Sequence, residues 1–215
     1  MTFIEYLDFN WDDLLVMSLE HLTVVVLALG IATVVGLGVG VLTWQSPRWS
    51  GIAVSTAGGL LTIPSLALLA LLIPFFGLGW VPSVIALVVY SLLPIVRNTI
   101  AGLRSVDTAI LEAANGMGLS RPTAIWRIQL PMAWPVIITG IRVAAQMLFA
   151  IAAIAAYVAG PGFGNEIFAG LSRLGATNAL NQAIAGTVGV VLLALAFDAA
   201  FILIRRLTTS RGLRV

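Results

Sequence analysis

The sequence predicts an all-α membrane protein with five transmembrane helices, the N-terminus outside and the C-terminus inside. Three observations predict it. Sixty per cent of the 215 residues are hydrophobic and only 9% are charged, whereas a soluble domain carries about a quarter charged residues. Mean hydropathy is +1.07, carried by apolar runs long enough to cross a bilayer. Basic residues gather at the expected ends of those runs: Arg48, Arg104, Arg121, Arg127, Arg205, Arg206, Arg211 and Arg214 share one side when the N-terminus is outside, and only Arg173 lies opposite. Basic residues stay in the cytoplasm, so this count sets the orientation.

The elements follow in order. Residues 1–20 carry Glu5, Asp8, Asp12, Asp13 and Glu20 with no basic residue, which reads as an acidic external segment ahead of a first span at Leu22–Val41. Gly36 and Gly40 in that span have the small-xxx-small spacing of close helix contacts. A second span runs from Ile52 to Phe76, interrupted by Gly58, Gly59, Pro64 and Pro74. Proline removes a backbone hydrogen bond and kinks a helix, and the freed carbonyls need partners in lipid. The second span therefore faces protein or a cavity. A third span covers Ser83–Leu103 with Pro94 inside it. A fourth covers Met132–Val158, a polar loop covers Ala159–Gln182, and a fifth span covers Ala183–Ile204.

Residues 104–131 form the one long inside loop. Asp107 caps a helix through Ala114, Gly116 and Gly118 end it, and Ser120 with Pro122 starts another. Ile110, Leu111, Ala113, Ala114 and Met117 give the first helix an apolar surface. That surface reads as a docking face for another protein.

Several function classes are excluded. The chain has no cysteine, and all eleven of its basic residues are arginine. Disulfide, iron–sulfur and thiol chemistry are excluded, and so are a lysine Schiff base and a P-loop with its lysine. His21, the single histidine, is expected at the outer edge of the first span in a structural or interfacial role. The six tryptophans fall mostly near span ends, as an aromatic belt does. The bases lie at membrane edges, so nucleic acid is not a partner. Arg97, Arg142 and Asp198 fall within spans, where ionisable groups pair or line a cavity. At 1.5 Å per residue, Arg97 and Asp198 lie roughly 9 Å deep and Arg142 roughly 15 Å deep. Matched depth favours an Arg97–Asp198 pair.

Within the inside loop, Glu112-Ala113-Ala114, then Gly118, then Ile128-Gln129-Leu130-Pro131 have the spacing of the EAA motif, and the chain resembles the permease subunits of ABC importers. Thr62-Ile63-Pro64-Ser65-Leu66-Ala67-Leu68-Leu69-Ala70, Leu93-Pro94-Ile95-Val96-Arg97-Asn98-Thr99, Gly140-Ile141-Arg142 and Gly162-Phe163-Gly164-Asn165-Glu166-Ile167-Phe168 are similar to the osmoprotectant branch. Pro161 and Asn165 depart from that branch's pattern. The resemblance implies a type I importer transmembrane fold: a segment at 1–18, a transmembrane domain at 19–206 and a cytoplasmic tail at 207–215. It implies a multi-pass protein of the bacterial inner membrane that takes up glycine betaine, carnitine, choline or proline betaine. Asp107, Glu112, Ala113, Ala114, Gly118, Ile128, Leu130 and Pro131 would couple it to a separate ATPase. Pro64, Ser65, Pro74 and Pro94 would kink the pathway helices. The implied partners are ABC ATPase subunits that carry ATP and Mg, a second permease (identical or not), an external substrate-binding protein and lipid. The chain itself would bind no cofactor or metal and catalyse no reaction. The competing readings are a self-sufficient carrier or channel, an intramembrane enzyme or scaffold, and a permease for another amino-acid-like substrate such as methionine. The docking loop speaks against the first two.

Overall fold

The computed structural model describes residues 1–208; Arg211 and Arg214 of the basic tail lie outside them. The described residues form α1 (Phe3–Phe9), α2 (Trp11–Thr43), α3 (Pro47–Leu61), α4 (Ser65–Phe76), α5 (Trp80–Arg104), α6 (Thr108–Gly116), α7 (Arg121–Ala124), α8 (Leu130–Ile154), α9 (Gly164–Ser172) and α10 (Ala179–Thr208). A π-helical segment, Ile125–Gln129, joins α7 to α8, and a 3-10 turn, Ala155–Val158, closes α8. Arg121–Val158 thus runs as one 38-residue rod.

Four helical stretches are long and apolar enough to cross a membrane: α2, α5, the 121–158 rod and α10. The fifth is α3 with α4, and here the expected single kinked span is corrected to a broken one, bent by 92°. Pro64 is the cause. It has no N–H, and its ring forces Ile63 out of helical geometry. Pro64 itself is extended, at φ −57° and ψ 136°, and opens α4 as its N-cap. The break exposes carbonyls, and the Tyr90 hydroxyl of α5 donates to the Ile63 carbonyl at 2.7 Å. Pro74 and Pro94 are accommodated inside α4 and α5.

Helix α5 is the centre, packed between α2 and α8. Lipid tails are as apolar as leucine, so close packing rather than hydrophobic transfer holds such helices together. Gly36 of α2 lies on Ile95 of α5, where a Cβ would sit 2.6 Å from Cγ2, and Gly40 lies against Thr99. Gly140 of α8 lies on Asn98 and on the Pro94 carbonyl, 2.6 Å from where its Cβ would be. Leu87, Ile95, Leu103, Ile137, Leu148 and Phe149 are fully buried between these helices. Helix α10 is the opposite case, with 6% of its most apolar window buried against 50% for α5.

Two expectations at the other end are corrected. The helix that carries the first span begins at Trp11, ahead of the expected Leu22–Val41, because Asp12 and Asp13 occupy the first turn of α2, where acidic groups favour a helix N-terminus. Thr2 and Glu5 form a capping box on α1. The loop expected at Ala159–Gln182 contains α9, which packs on α10 through Gly170 and Gly186. Residues 160–164 are all buried, and Gly162, at φ +100°, lies on His21.

Candidate functional site

Helix α6 forms as its sequence dictates. The Asp107 carboxylate accepts the Ala109 N–H at 2.9 Å and caps α6. Two residues expected on the apolar docking surface are corrected to inward-facing: Leu111 packs into the core and Ala114 is fully buried. On α6, Ala109, Ile110, Glu112, Ala113, Asn115 and Gly116 face outward. Met117 stands at its end, 71% exposed. Gly118 has φ +78° and nothing crowds it; backbone conformation rather than space requires glycine there. Its N–H reaches the Asn115 carbonyl and that of Leu119 reaches Ala114, closing the helix end.

Beyond the turn, two details differ from expectation. Ser120 starts α7 in extended conformation, but its hydroxyl pairs with Thr123 at 2.7 Å rather than with a backbone N–H. Pro131 does not end a loop. It is exposed in the first turn of α8, and the helix passes straight through. Pro131 cannot donate to the Arg127 carbonyl, and the preceding turn widens to π geometry, with the Leu130 N–H reaching Ile125. Ile128 is half-buried and Leu130 packs into the core. The Gln129 side chain is buried in this turn, and its Nε2 has no partner among the described residues. It lines a cleft of about 300 Å3 behind α6 with Trp44, Gln45, Leu111, Asn115 and Arg121. Arg104 pins the wall of that cleft, donating from Nε to the Trp44 carbonyl at 2.9 Å and from Nη2 to Ser50 Oγ at 2.7 Å.

The intramembrane charges pair otherwise than depth suggested. Arg142 of α8 holds Asp198 of α10 side-on, Nε to Oδ1 at 2.5 Å and Nη2 to Oδ2 at 2.6 Å. Gln146, one turn along α8, donates to Oδ1 at 2.8 Å. Arg97 is exposed on α5 and takes no part. Depth was the wrong criterion: α10 packs against α8 and α9, while α5 lies across α8 on α2. The direction in which a side chain leaves its helix decides which pair can form. Among the kink residues, Pro94 is buried, Ser65 is half-buried, and Pro64 and Pro74 are exposed beside the apolar Leu66, Leu71 and Phe75 of α4.

A second polar cluster went unread in the sequence. The Tyr6 hydroxyl donates to Glu166 Oε1, and Gln182 Nε2 donates to Oε2 at 3.3 Å, so α1, α9 and α10 meet on one buried carboxylate. Burial, then the Glu166 carboxylate, push the Tyr6 phenol well above its usual range, which keeps it a donor. Beside it, Glu20 accepts the Gly162 N–H at 3.2 Å. His21, expected at a membrane edge, is fully buried. Its Nε2 lies 3.2 Å from the Phe149 carbonyl and its ring stacks on Phe149 at 5.8 Å. The one available signal was the spacing of Phe163, Ile167 and Gly170, which puts an apolar helical face on either side of Glu166.

Residues 32–209 match the family described as binding-protein-dependent transport system inner membrane component. The chain is 34% identical over 211 residues to the choline transport system permease protein OpuBB of Bacillus subtilis (strain 168), covering 98% of this chain and 95% of that one. It is 35% identical over 205 residues to the carnitine transport permease protein OpuCB of Listeria monocytogenes, covering 95% and 92%. It is 36% identical over 219 residues to the osmoprotectant import permease protein OsmW of Salmonella typhimurium, covering the whole of both. In fold it is similar to a chain of the inward-facing MetNI methionine ABC transporter, with a TM-score of 0.79 at 22% identity over 92% of this chain and 96% of that one.

Proposed function

The chain belongs to the family of binding-protein-dependent transport system inner membrane components, and from that premise we propose that it forms the membrane pathway of an ATP-driven importer of osmoprotectants such as glycine betaine, carnitine, choline or proline betaine. The names of its relatives support this substrate class: choline, carnitine and osmoprotectant permeases match along nearly the whole chain.

The observation that carries the mechanism is α6. A capped nine-residue helix projects between α5 and the 121–158 rod, anchored by Leu111 and Ala114 and bare on its Glu112–Ala113 face. Small side chains let a partner groove approach closely, and Gly118 fixes the turn. ATP with Mg binds to and is hydrolysed by a separate ATPase that grips this face. Displacement of α6 is passed through Leu111 to the core and through the π turn into α8. Residues 19–206 act as the transmembrane domain and residues 104–131 as its coupling loop, with the N-terminus outside and the C-terminal tail 207–215 inside. A second permease completes the pathway beside the broken α3–α4 span. An external binding protein delivers substrate to the face formed by α1, α9 and the loops around them.

The test is reconstitution in vesicles with a partner ATPase and binding protein, following labelled choline, carnitine and glycine betaine. Uptake is expected to require ATP and all three components. Glu112→Arg is expected to abolish it and to release the ATPase during co-purification, while the chain still inserts. Saturable uptake by this chain alone overturns the importer reading. Uptake that needs all components but accepts none of these osmolytes overturns only the substrate class.

A further inference from the structure

Helix α5 is covered almost all round. From Pro82 to Leu103 it shows two exposed residues, Arg97 and Ala101. Four positions apart, they share one face. Arg104 continues that face at the helix end, tied to the Trp44 carbonyl and to Ser50. The neighbouring faces are closed. Ile95 and Thr99 lie under Gly36 and Gly40 of α2, and Asn98 lies under Gly140 of α8. On the other side Leu93, one turn before Arg97, meets Gly58 of α3. The bare patch therefore lies in a groove between α3 and α8. Toward the start of α5 the same face is filled: Ala86 and Tyr90 pack with Leu68 and Leu69 of α4. The 92° break thus carries α4 across one half of the groove and leaves the half with Arg97 open.

An arginine inside a span pairs with a carboxylate or lines an aqueous cavity. The helices around Arg97 offer it no carboxylate: no acidic residue lies between Glu20 and Asp107, and α8 carries none. Asn98, beside it, spends its Nδ2 on the Pro94 carbonyl at 2.8 Å. What remains is one guanidinium in an otherwise apolar groove next to the broken span. We propose that Arg97 takes the carboxylate of the substrate as it passes. This rests on the importer reading and narrows its substrate class to quaternary ammonium compounds that carry a carboxylate, such as glycine betaine, proline betaine and carnitine, in preference to choline. A guanidinium engages both oxygens of a carboxylate at once. Choline has a hydroxyl in place of the carboxylate, so its cation meets only repulsion, which a groove of low dielectric strengthens. A single guanidinium without further donors also suits transit, since a site on a pathway must release what it binds.

The experiment uses the full chain assembled with a partner ATPase in nanodiscs, where both faces are open to solution. The chain has no cysteine, so Ala101→Cys places a single thiol one turn from Arg97. It is labelled with two methanethiosulfonates, one ending in an anionic sulfonate and one in a cationic trimethylammonium. Both are expected to react, the anionic one faster. Adding Arg97→Gln should lower the anionic-to-cationic rate ratio about tenfold, and Arg97→Lys should keep most of it. A thiol that reacts with neither reagent means that lipid or protein covers this face. An unchanged ratio means that Arg97 does not set the potential there. Either result overturns the assignment. The second readout is uptake by the importer reconstituted with a binding protein at saturation. Arg97→Gln should cut the glycine betaine rate about tenfold or more, the loss of a charge-assisted contact, while choline uptake holds or rises. Equal losses for the two substrates overturn the carboxylate contact in favour of a structural role. Absence of all osmolyte uptake by the wild type counts against the importer reading. Labelling needs no uptake and decides on Arg97 alone.

Discussion

At the residue scale, a few close contacts decide where the helices lie and which charges are tolerated. Arg142 and Asp198 are 33% and 21% exposed, so their pairing is worth less than a fully buried bridge, whose disruption costs about 3–5 kcal/mol. Asp198→Asn is expected to cost about 1–3 kcal/mol, and Arg142→Gln combined with Asp198→Asn less than the sum of the two. A double-mutant cycle on thermal stability in nanodiscs measures the coupling; strict additivity would defeat the pair. Arg97→Gln combined with Asp198→Asn should be additive. Glycine gives a second test. A Cβ on Gly140 meets the Pro94 carbonyl at 2.6 Å, whereas one on Gly38 meets nothing within 4 Å. Gly140→Ala should lower stability by about 1–3 kcal/mol through forced separation of α5 and α8, and Gly38→Ala should be neutral or slightly stabilising. Equal unfolding temperatures for the two variants would contradict this packing.

At the scale of elements, α3–α4 and α6 show how a helix end is held when no helix continues. The break at Pro64 persists because Tyr90 satisfies the Ile63 carbonyl. Tyr90→Phe keeps the ring and removes the donor, at an expected cost of about 1–3 kcal/mol for an orphaned carbonyl. Amide exchange across residues 60–66 should quicken in that variant, and unchanged protection there would mean that water or backbone already serves the carbonyl. The start of α6 rests on one carboxylate. Asp107→Ala removes the cap, costs about 1 kcal/mol locally and frays the first turn. Recruitment of the ATPase should weaken without being lost, whereas Glu112→Arg should abolish it. If Asp107→Ala leaves recruitment at the wild-type level, the first turn is not part of the docking face.

For the whole molecule, orientation and exposure belong together. Helix α10 and the outer side of α4 show long apolar surfaces, which lipid and a second permease would cover. Because the chain has no cysteine, single introduced thiols report sidedness cleanly. Arg173→Cys should react with an impermeant maleimide in intact cells, and Met117→Cys only after the membrane is opened. Reaction of both from the same side would remove either the five-span count or the proposed orientation. Where α1, α9 and α10 meet, Tyr6, Glu166 and Gln182 tie three helices together. The raised Tyr6 phenol means that its own contribution to this contact is fully present below its ordinary range and is lost as pH rises through the higher folded value.

What the sequence determined by itself was everything set by neighbours along the chain. The apolar runs placed the spans, because a bilayer demands a minimum run of apolar residues whatever surrounds it. Asp107, Gly118 and Pro122 placed α6 and α7, because caps and positive φ act within a turn. Pro64 announced an interruption in the second span. Only the tertiary structure decided how far that interruption went, since at the 92° break Tyr90, 27 residues beyond Ile63, takes the freed carbonyl. It also decided that Asp198 meets Arg142 and not Arg97. Depth can be counted along a chain, but the direction a side chain leaves its helix, and the neighbour it meets, are set by packing between helices distant in sequence. The same holds for α9: Glu166 reads as a loop residue until Tyr6, 160 positions away, arrives to share its burial.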